Sequence, residues 1–474
     1  MSQSITSALD AMDGERPIPG GSEKYAPGPA YHRYLIGLVL ANIAISSVWG
    51  MCGILIPNQI QMLEHARWFT GADAGVDIQQ LSLLQQHIVA GTATAEQTRL
   101  LAILAHFNAS KASSLALVTA IGVAVTMLAQ PLIGVVSDRT RNRLGRRAPW
   151  ILFGALAGGA VFALLPLAPT VVMVGVLYTV GQVLINVAQS PVAATLADRV
   201  QEKHLGTASS LGGFGAFVGI IGGAVFTGAM FASLGLWIYA IIAAFVAVTC
   251  VLFVLIAPDR SSKDIAVAPF HWKEFLLGFT IALRSADFRW VWIARVLLTF
   301  GMSCSLTLGI YMMQSYIHPA LSAAEATLLA PKLYLAAAPL SMLSTILAGR
   351  LSDRLGRRKP FVITSSLILA ASFVIPIVSP TLPALFIQAA VSGLAYGIFI
   401  PIDQALFIDV LPDAKSAGRD LGVAQLGFNL GQAIGPIAAG IVVSMTGGYL
   451  GVWVTGIVVV SLAALAILPV KGAR

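Results

Sequence analysis

Long apolar stretches alternate with short polar segments along most of the 474-residue chain. A helix rises about 1.5 Å per residue, so about 20 apolar residues cross the roughly 30 Å hydrocarbon core of a membrane. Six stretches of this kind precede a polar segment at 258–287, and six follow it. The pattern predicts an all-α integral membrane protein of 12 transmembrane helices, with spans near 33–60, 112–136, 149–168, 171–197, 207–231, 235–257, 288–314, 324–348, 360–378, 382–408, 421–444 and 448–470.

These spans divide the chain into two six-helix bundles. We expect an N-terminal bundle at 33–257, a linker at 258–287 and a C-terminal bundle at 288–474. Residues 1–32 are rich in Ser, Pro, Gly and acidic residues and have no apolar core. This segment is therefore predicted to be a disordered N-terminus and not a signal peptide.

The first connection, at 61–111, is far longer than an ordinary loop. Within it, the segments Asp77–His87 and Glu96–His106 have the periodicity of amphipathic helices. They are predicted to form a small cap at the outer mouth of the protein. An insertion without a role in transport explains the same pattern equally well.

Composition agrees with a membrane protein. Apolar residues make up 57% of the chain, charged residues 11%, and the mean hydropathy is +0.83, so there is too little polar surface to cover a water-soluble globule. The three cysteines lie in separate apolar stretches, which argues against disulfides and a zinc site. We expect neither a metal nor a cofactor.

The formal net charge of +8 raises the possibility of nucleic-acid binding, but the position of the charge argues otherwise. When the connections are assigned alternately to the two membrane sides, most Lys and Arg residues fall on the side of the N-terminus. Only Arg67, Arg99 and Lys111 fall opposite, all in the first connection. This asymmetry predicts a multi-pass protein of the cell membrane with both termini in the cytoplasm, in contact with lipid and not with nucleic acid.

A short charged loop occurs twice, once in each half. The first copy runs from Gly134 through Asp138 and Arg139 to Gly145-Arg146-Arg147, and the second is Gly349-Arg-Leu-Ser-Asp353-Arg354-Leu-Gly356-Arg357-Arg358. A repeated loop in a chain of apolar helices indicates two related halves, which is the architecture of many transporters.

The two loops resemble the Gly-x-Leu-x-Asp-Arg-x-Gly-Arg-Arg/Lys motif of the major facilitator superfamily, which implies its 12-helix fold in two pseudo-symmetric bundles. The first copy has four extra residues between Asp138 and Gly145, and its ending, Arg-x-Gly-Arg-Arg-x-Pro, looks like that of the glycoside-pentoside-hexuronide cation symporters and sucrose transporters. The stretch 403–422 is similar to the loop after helix ten of that group.

A carboxylate at a helix end can face the positive N-terminus of a neighbouring helix and pair with loop arginines. The loops are therefore predicted to form a cytoplasmic latch between the halves, although topology signals with weak surface ion pairs remain an alternative. The latch residues are Asp138, Arg139, Gly145, Arg146, Arg147 and Asp198 in the first half and Asp353, Arg354, Gly356, Arg357, Arg358 and Asp409 in the second.

Polar side chains form stripes along several predicted helices. Amides and hydroxyls within a bilayer are costly unless they face another helix or a water-filled cavity. Together with aromatic rings they suit a neutral polyhydroxylated ligand, although each amide could equally well bond a neighbouring helix. The predicted substrate-binding residues are Trp49, Asn58, Gln59, Tyr178, Gln182, Asn186, Tyr311, Gln314, Gln425 and Asn429, with Gln189, Ser303, Thr307 and Gln432 on the same stripes.

Few charged residues lie within the apolar stretches. Coupled members of the sugar group use carboxylates on helices two and four, and those helices lack an interior acid here. Asp403 is the candidate for proton coupling, because a buried carboxylate is costly to keep charged. A static pair with Arg295 or Lys332 is the alternative, so coupling to a proton or sodium and facilitated diffusion both remain open.

The sequence therefore predicts a monomeric carrier that imports a sugar or glycoside by alternating access, with proton symport as the expected mode. A proton-driven exporter of drugs or metabolites is the nearest rival, and a non-transporting membrane sensor or scaffold is a rival of another class. We do not expect an enzyme, because no nucleophile, metal-ligand or phosphate-binding motif is apparent and the histidines lie outside the helical interiors.

Overall fold

The computed structural model describes residues 24–25, 28–83, 94–259, 261–263, 281–411 and 417–471. Within this part of the chain the fold is all-helical, and the only β pairing is an isolated bridge between Tyr25 and Val200. The predicted fold class is confirmed. The long helices are α1 Pro29–Trp68, α2 Ala95–Arg139, α3 Ala148–Leu164, α4 Val171–Arg199, α5 Glu202–Leu234, α6 Ile238–Ile256, α7 Ala286–Thr307, α8 Ala323–Leu355, α9 Lys359–Val378, α10 Leu382–Asp409, α11 Ala417–Thr446 and α12 Leu450–Ala466.

Each predicted span overlaps one of these helices. Among the described residues, ten segments are long and apolar enough to cross a membrane, one of which joins α5 and α6, and α12 is a shorter apolar helix. The seventh span is interrupted at Leu308, after which a short helix, Gly309–Ser315, continues it. Two further one-turn 3-10 helices, Leu165–Leu167 and Gly235–Trp237, join α3 to α4 and α5 to α6.

The first connection is shorter than predicted because the flanking helices extend into it. The segment Glu96–His106 is helical, but it forms the first turns of α2 and not a separate helix. The 3-10 helix Gly71–Gly75 and the helix Ile78–Leu83 lie between α1 and α2, and residues 84–87 of the predicted helix lie outside the described residues. We call the region from Phe69 to Phe107 the cap, and the end of the bundle that carries it the cap end. The opposite end, with the two repeated loops, is the charged end.

The cap has a small apolar core of its own, formed by Phe69, Leu81, Leu101, Leu104 and Phe107. On its surface one arginine joins two acids, since the Arg99 guanidinium donates to the carboxylates of both Asp73 and Glu96. These hydrogen bonds hold the pKa values of both carboxyls below their usual range.

Glycines bring helices of each half into close contact. In the N-terminal half, a Cβ atom added to Gly219 or Gly223 of α5 would overlap the backbone of α1 at Ile43 or Ser47. In the C-terminal half, Gly431 and Gly435 of α11 lie equally close to the backbone of α7. Such contacts explain the packing of α1 on α5 and of α7 on α11, which are equivalent pairs in the two halves.

The halves meet mainly through two helix pairs, α2 with α11 and α5 with α8. The Cβ position of Gly440 on α11 lies 2.7 Å from Ala116 on α2, and that of Gly228 on α5 lies 2.7 Å from Pro331 on α8. Both contacts lie on the cap-end side of the bundle. Four other helices, α3, α6, α9 and α12, pack on the outside of their own half.

Candidate functional site

A cavity of about 560 Å³ lies between the two halves. Seven helices contribute to its wall, namely α1, α2, α4, α5, α7, α8 and α11. Six amides, four hydroxyls of Ser or Thr and four aromatic rings line it, and none of the described lining residues is charged. The polar members are Thr119, Thr126, Gln130, Gln182, Asn186, Gln189, Ser303, Thr307, Asn429 and Gln432, and the aromatic ones are Trp49, Tyr178, Tyr334 and Phe428.

The structure brings together about half of the predicted binding residues. Trp49, Tyr178, Gln182, Asn186 and Asn429 all line the cavity. The α4 stripe therefore faces the space between the halves, as its spacing of four residues predicts. Gln189, Ser303, Thr307 and Gln432, which share these stripes, line the cavity as well. Whether any of these residues binds a substrate remains a prediction.

The other predicted binding residues lie outside the cavity wall. Buried Asn58 accepts a hydrogen bond from Thr327 of α8 at 2.9 Å, and Gln59 donates to the Leu165 carbonyl at 2.6 Å. Tyr311 donates to the Pro57 carbonyl at 2.8 Å. These three side chains hold helices together, which is the alternative that their sequence pattern left open. Gln314 is buried near the cap end, and Gln425 is exposed and donates to Asn429 at 3.4 Å.

Sequence reasoning missed the polar face of α2. Thr119, Thr126 and Gln130 line the cavity, and their spacing of seven and four residues places them on one helical face. Gln130 donates to Asn186 at 2.9 Å and accepts from Asn429 at 3.1 Å, so one amide connects the two halves across the cavity. The sequence prediction considered only interior acids on α2 and not its amides and hydroxyls.

Two cavity-lining groups have no hydrogen-bond partner among the described residues. They are the Gln182 Oε1 and the Thr126 Oγ1, and both atoms are buried. An unsatisfied buried polar atom costs about 1–3 kcal/mol, which is recovered when a ligand or water bonds it. Both atoms are enclosed by protein, and the Gln182 Oε1 lies 2.5 Å from the Cβ position of Gly122 on α2, so a ligand in the cavity bonds them only after the side chain rotates.

Hydrogen bonds join the two halves above the cavity at the cap end. Tyr311 bonds Pro57 of α1, Thr327 of α8 bonds Asn58 of α1, and Ser113 of α2 bonds Ser444 of α11 at 2.7 Å. Each of these bonds crosses from one half to the other. The structure is therefore a state in which the cavity is closed toward the cap end.

At the charged end, the first repeated loop forms a compact ion-pair cluster within the N-terminal half. Arg147 is buried and contacts Asp138 at 2.5 Å and Asp198 at 2.9 Å, while Arg146 contacts Asp198 at 2.5 Å. Burial acts to lower the pKa of Arg147, but the two acids more than offset this and leave it raised. Gly145 has φ +91 and the Asp259 side chain packs directly against it, so a larger residue does not fit.

The second loop is more open than the first. Arg358 contacts Asp409 at 3.2 Å, and Gly356 ends α8 with φ +59. Asp353, Arg354 and Arg357 are exposed, and Asp353 makes no ion pair within the described residues. Arg139 of the first loop is half-buried. The two copies thus share a sequence pattern but differ in their contacts.

The four extra residues of the first loop contact the linker that follows α6. The Asn142 N–H donates to Ser262 Oγ at 3.0 Å, and the Ser262 N–H donates back to the Asn142 carbonyl at 3.0 Å. Ser262 Oγ also donates to the Thr140 carbonyl at 2.9 Å, and Asp259 accepts from the Arg147 N–H at 3.2 Å. Nothing in the local sequence pattern indicated this contact.

The interior acid Asp403 lies against Arg295. The Arg295 Nε donates to the Asp403 carboxylate at 2.6 Å, and both side chains are about 95% buried. The guanidinium also lies 4.2 Å from the centre of the Phe407 ring. Lys332, the other predicted partner, is exposed on the cap-end half of α8, so the prediction that it could pair with Asp403 was wrong. Neither charged side chain of the pair lines the cavity.

Within the residues that the structure describes, no cluster of His, Cys, Asp and Glu has the geometry to hold a metal ion.

Comparison with known proteins gives one family match over most of the chain. Residues 107–470 match the family of MFS/sugar transport proteins. The chain is 36% identical over 77 residues to the inner membrane symporter YicJ of Escherichia coli (strain K12), and 29% identical over 141 residues to the multidrug efflux pump Tap of Mycolicibacterium fortuitum. These stretches cover 15% and 28% of this chain, and 17% and 34% of those relatives.

Solved structures match over nearly the whole length. The nucleoside transporter NupG, as a variant, superposes with a TM-score of 0.68 at 14% identity, covering 92% of this chain and 99% of that one. A bacterial homolog of the human lysosomal transporter Spinster, in an inward-facing and occupied conformation, gives 0.63 at 13% identity over 94% and 96%. At such identities the likeness shows the fold alone.

The equivalent arginines of the two loops should differ in their contribution to stability. Arg147→Met removes a buried guanidinium that bonds Ser137, Asp138 and Asp198, a loss of about 1–3 kcal/mol because Asp198 keeps Arg146 as a partner, whereas Arg358→Met removes a partly exposed pair that contributes at most about 1 kcal/mol. We expect a clearly lower apparent melting temperature for detergent-purified Arg147→Met than for Arg358→Met. Equal shifts would contradict the difference seen between the loops.

Proposed function

The chain belongs to the family of MFS/sugar transport proteins, and from that premise we propose that this membrane transporter imports a sugar or glycoside across the cell membrane by alternating access. Both termini then lie in the cytoplasm, because the repeated loops and most basic residues share their side. The charged end is thus cytoplasmic and the cap faces outward. We infer that this structure, which is closed at the cap end, belongs to the inward-facing part of the cycle.

The uncharged polar wall of the cavity is the observation that carries this proposal. A volume of about 560 Å³ lies within the range of small-molecule sites. A sugar presents hydroxyls that donate and accept at once, which amides and hydroxyls match, and its apolar faces stack on rings such as Trp49 and Tyr178. An ionic substrate would require a counter-charge in the wall. Gln182 and Thr126 belong to this polar wall.

Efflux of drugs or metabolites is the second candidate function. The stretch of 141 residues similar to a multidrug efflux pump favours it, as do the four aromatic residues of the cavity. The six amides argue for the sugar instead, because an apolar drug leaves them without partners. Resistance of expressing cells to drugs, without uptake of any sugar, would favour efflux.

Sugar binding should depend on Gln182, an amide of the cavity wall. We expect proteoliposomes to take up at least one member of a panel of neutral mono- and disaccharides and glycosides. Gln182→Ala should raise the KM for that sugar roughly tenfold, since a net hydrogen bond contributes about 1 kcal/mol or slightly more.

Thr179→Val is the matched control for this measurement, because Thr179 is also an unpartnered polar residue of α4 but does not line the cavity. It should leave the KM unchanged. No uptake of any sugar across the panel would reject the proposed substrate class.

We propose that the repeated loops act as the latch that closes the charged end in the opposite, outward-facing state. The exposed position of Asp353 and the open second loop in a state closed at the cap end support this role. A latch carboxylate should increase the rate of transport, but it should contribute little to the stability of the present state.

Asp353→Asn should therefore slow sugar uptake at least severalfold while leaving membrane insertion and melting temperature near those of the wild type. Glu202→Gln, an exposed acid at the same end, is the control and should transport normally. Uptake by Asp353→Asn at the wild-type rate would mean that this loop is no latch.

Proton coupling is proposed to depend on Asp403. The Asp403 carboxylate pairs with Arg295 inside one half. This pair is compatible with a proton-binding carboxylate that leaves its arginine when the halves move. It is equally compatible with a static buried ion pair. Removing one partner of a buried pair costs about 3–5 kcal/mol, whereas replacing both by apolar residues is often neutral.

Asp403→Asn should lower the melting temperature, and the double variant Arg295→Met with Asp403→Leu should restore it. If Asp403 carries the proton, the restored double variant equilibrates the sugar without accumulating it, with or without a protonophore. Accumulation by this stable double variant would exclude Asp403 as the coupling residue.

A further inference from the structure

Lys111 lies at the boundary between the cavity and the cap. It is on α2, with 1% of its surface exposed, one turn toward the cap from Leu115, which lines the cavity. Tyr311 is placed in the same way in the other half, one turn toward the cap from the cavity residue Thr307. The two side chains therefore lie directly above the cavity, one from each half.

Two aromatic rings enclose the Lys111 ammonium. Its Nζ is 4.8 Å from the centre of the Phe107 ring and 4.8 Å from that of Tyr311. Tyr311 is fully buried, and its hydroxyl donates to the Pro57 carbonyl of α1. Lys111 thus bridges the halves through a cation–π contact and not through an ion pair.

The neighbouring acid is already engaged elsewhere. Glu64 of α1 is buried and accepts from the hydroxyls of Ser110 and Ser114 at 2.7 Å each, and Arg67 lies 3.7 Å from it. The other titratable group near Tyr311 is the buried Tyr449 at the start of α12. In the described part of the chain Lys111 makes neither an ion pair nor a hydrogen bond.

The cap holds this arrangement in place. Phe107 belongs to the apolar core of the cap and contacts Phe69 edge to face, with ring centres 5.7 Å apart. A continuous row of contacts therefore runs from the cap core through Phe107 and Lys111 to Tyr311. This gives the long first connection a part in closing the cavity, which its sequence left undecided.

Burial of Lys111 opposes closure. A lysine without a counter-charge must either desolvate its ammonium or lose its proton, and both cost free energy relative to a hydrated side chain. The cation–π contacts recover only part of this cost. Tyr311 acts in the other direction, because its ring and hydroxyl make favourable contacts that exist only while the halves touch at the cap end.

We propose that Lys111 and Tyr311 form the cap-end gate of the cavity, in which Tyr311 holds the gate closed and Lys111 favours its reopening. The balance of the two sets how often the empty carrier returns to the state open toward the cap. This role does not depend on which small molecule is carried, so it can fail or succeed independently of the proposed sugar.

An introduced cysteine can report on the gate. Cys52 lines the cavity but is buried, as are Cys250 and Cys304, so its thiol is poorly accessible to a reagent. Ser303 lines the same cavity and is half-buried, and Ser303→Cys replaces a single atom. In a Cys52→Ser background, a membrane-impermeant maleimide applied to the cap side reaches this cysteine only while the gate is open, and the irreversible reaction accumulates rare openings. The Cys52→Ser protein without the introduced cysteine gives the background rate, and labelling from the charged-end side of inverted vesicles shows that each variant is folded.

Lys111→Met keeps the length of the side chain and removes the charge, so it should lower the cap-side labelling rate at least about threefold by shifting the population toward the closed gate. Tyr311→Leu should raise the rate by a similar factor, and Tyr311→Phe, which keeps the ring, should raise it less. Labelling from the charged-end side should persist in all three variants. A faster or unchanged cap-side rate in Lys111→Met would overturn the proposal.

Discussion

The cost of placing polar groups in hydrocarbon constrains this whole structure. A backbone in lipid must satisfy its own hydrogen bonds, which leaves helices, and a polar side chain must find a partner or a cavity. The described side chains follow this rule closely. Amides of α2, α4 and α11 face the space between the halves, Asn58 and Gln59 bond neighbouring helices, and Asp403 lies against Arg295.

The same constraint distinguishes the two ends of the molecule. Away from the charged end, the halves meet through neutral hydrogen bonds, close glycine contacts and one lysine between two rings. At the charged end, arginines and carboxylates form ion pairs near water, where hydration lowers the cost of separating them. Polar contacts that can be exchanged for water are suited to repeated opening.

Hydropathy predicted the helices well because lipid requires long apolar segments, and a spacing of four residues predicted the cavity face of α4. The hydrogen-bond partner of each polar side chain was not predictable in the same way. Whether an amide such as Asn58 faces a cavity or another helix depends on a residue 269 positions away. Lys111 was assigned to a loop because the apolar stretch begins at 112, whereas the helix continues through it from Ala95. The buried environment of Lys111 follows only from the approach of the second half.

The contact between Asn142 and Ser262 is a place where the two repeated loops are not equivalent. The linker after α6 joins the first half to the second, and the extra residues of the first loop contact that linker. At the equivalent place after α12, the Lys359 ammonium bonds the Leu468 carbonyl instead. The two repeated loops therefore differ at the place where chain connectivity gives them different surroundings. Neither the membrane nor the substrate accounts for this difference.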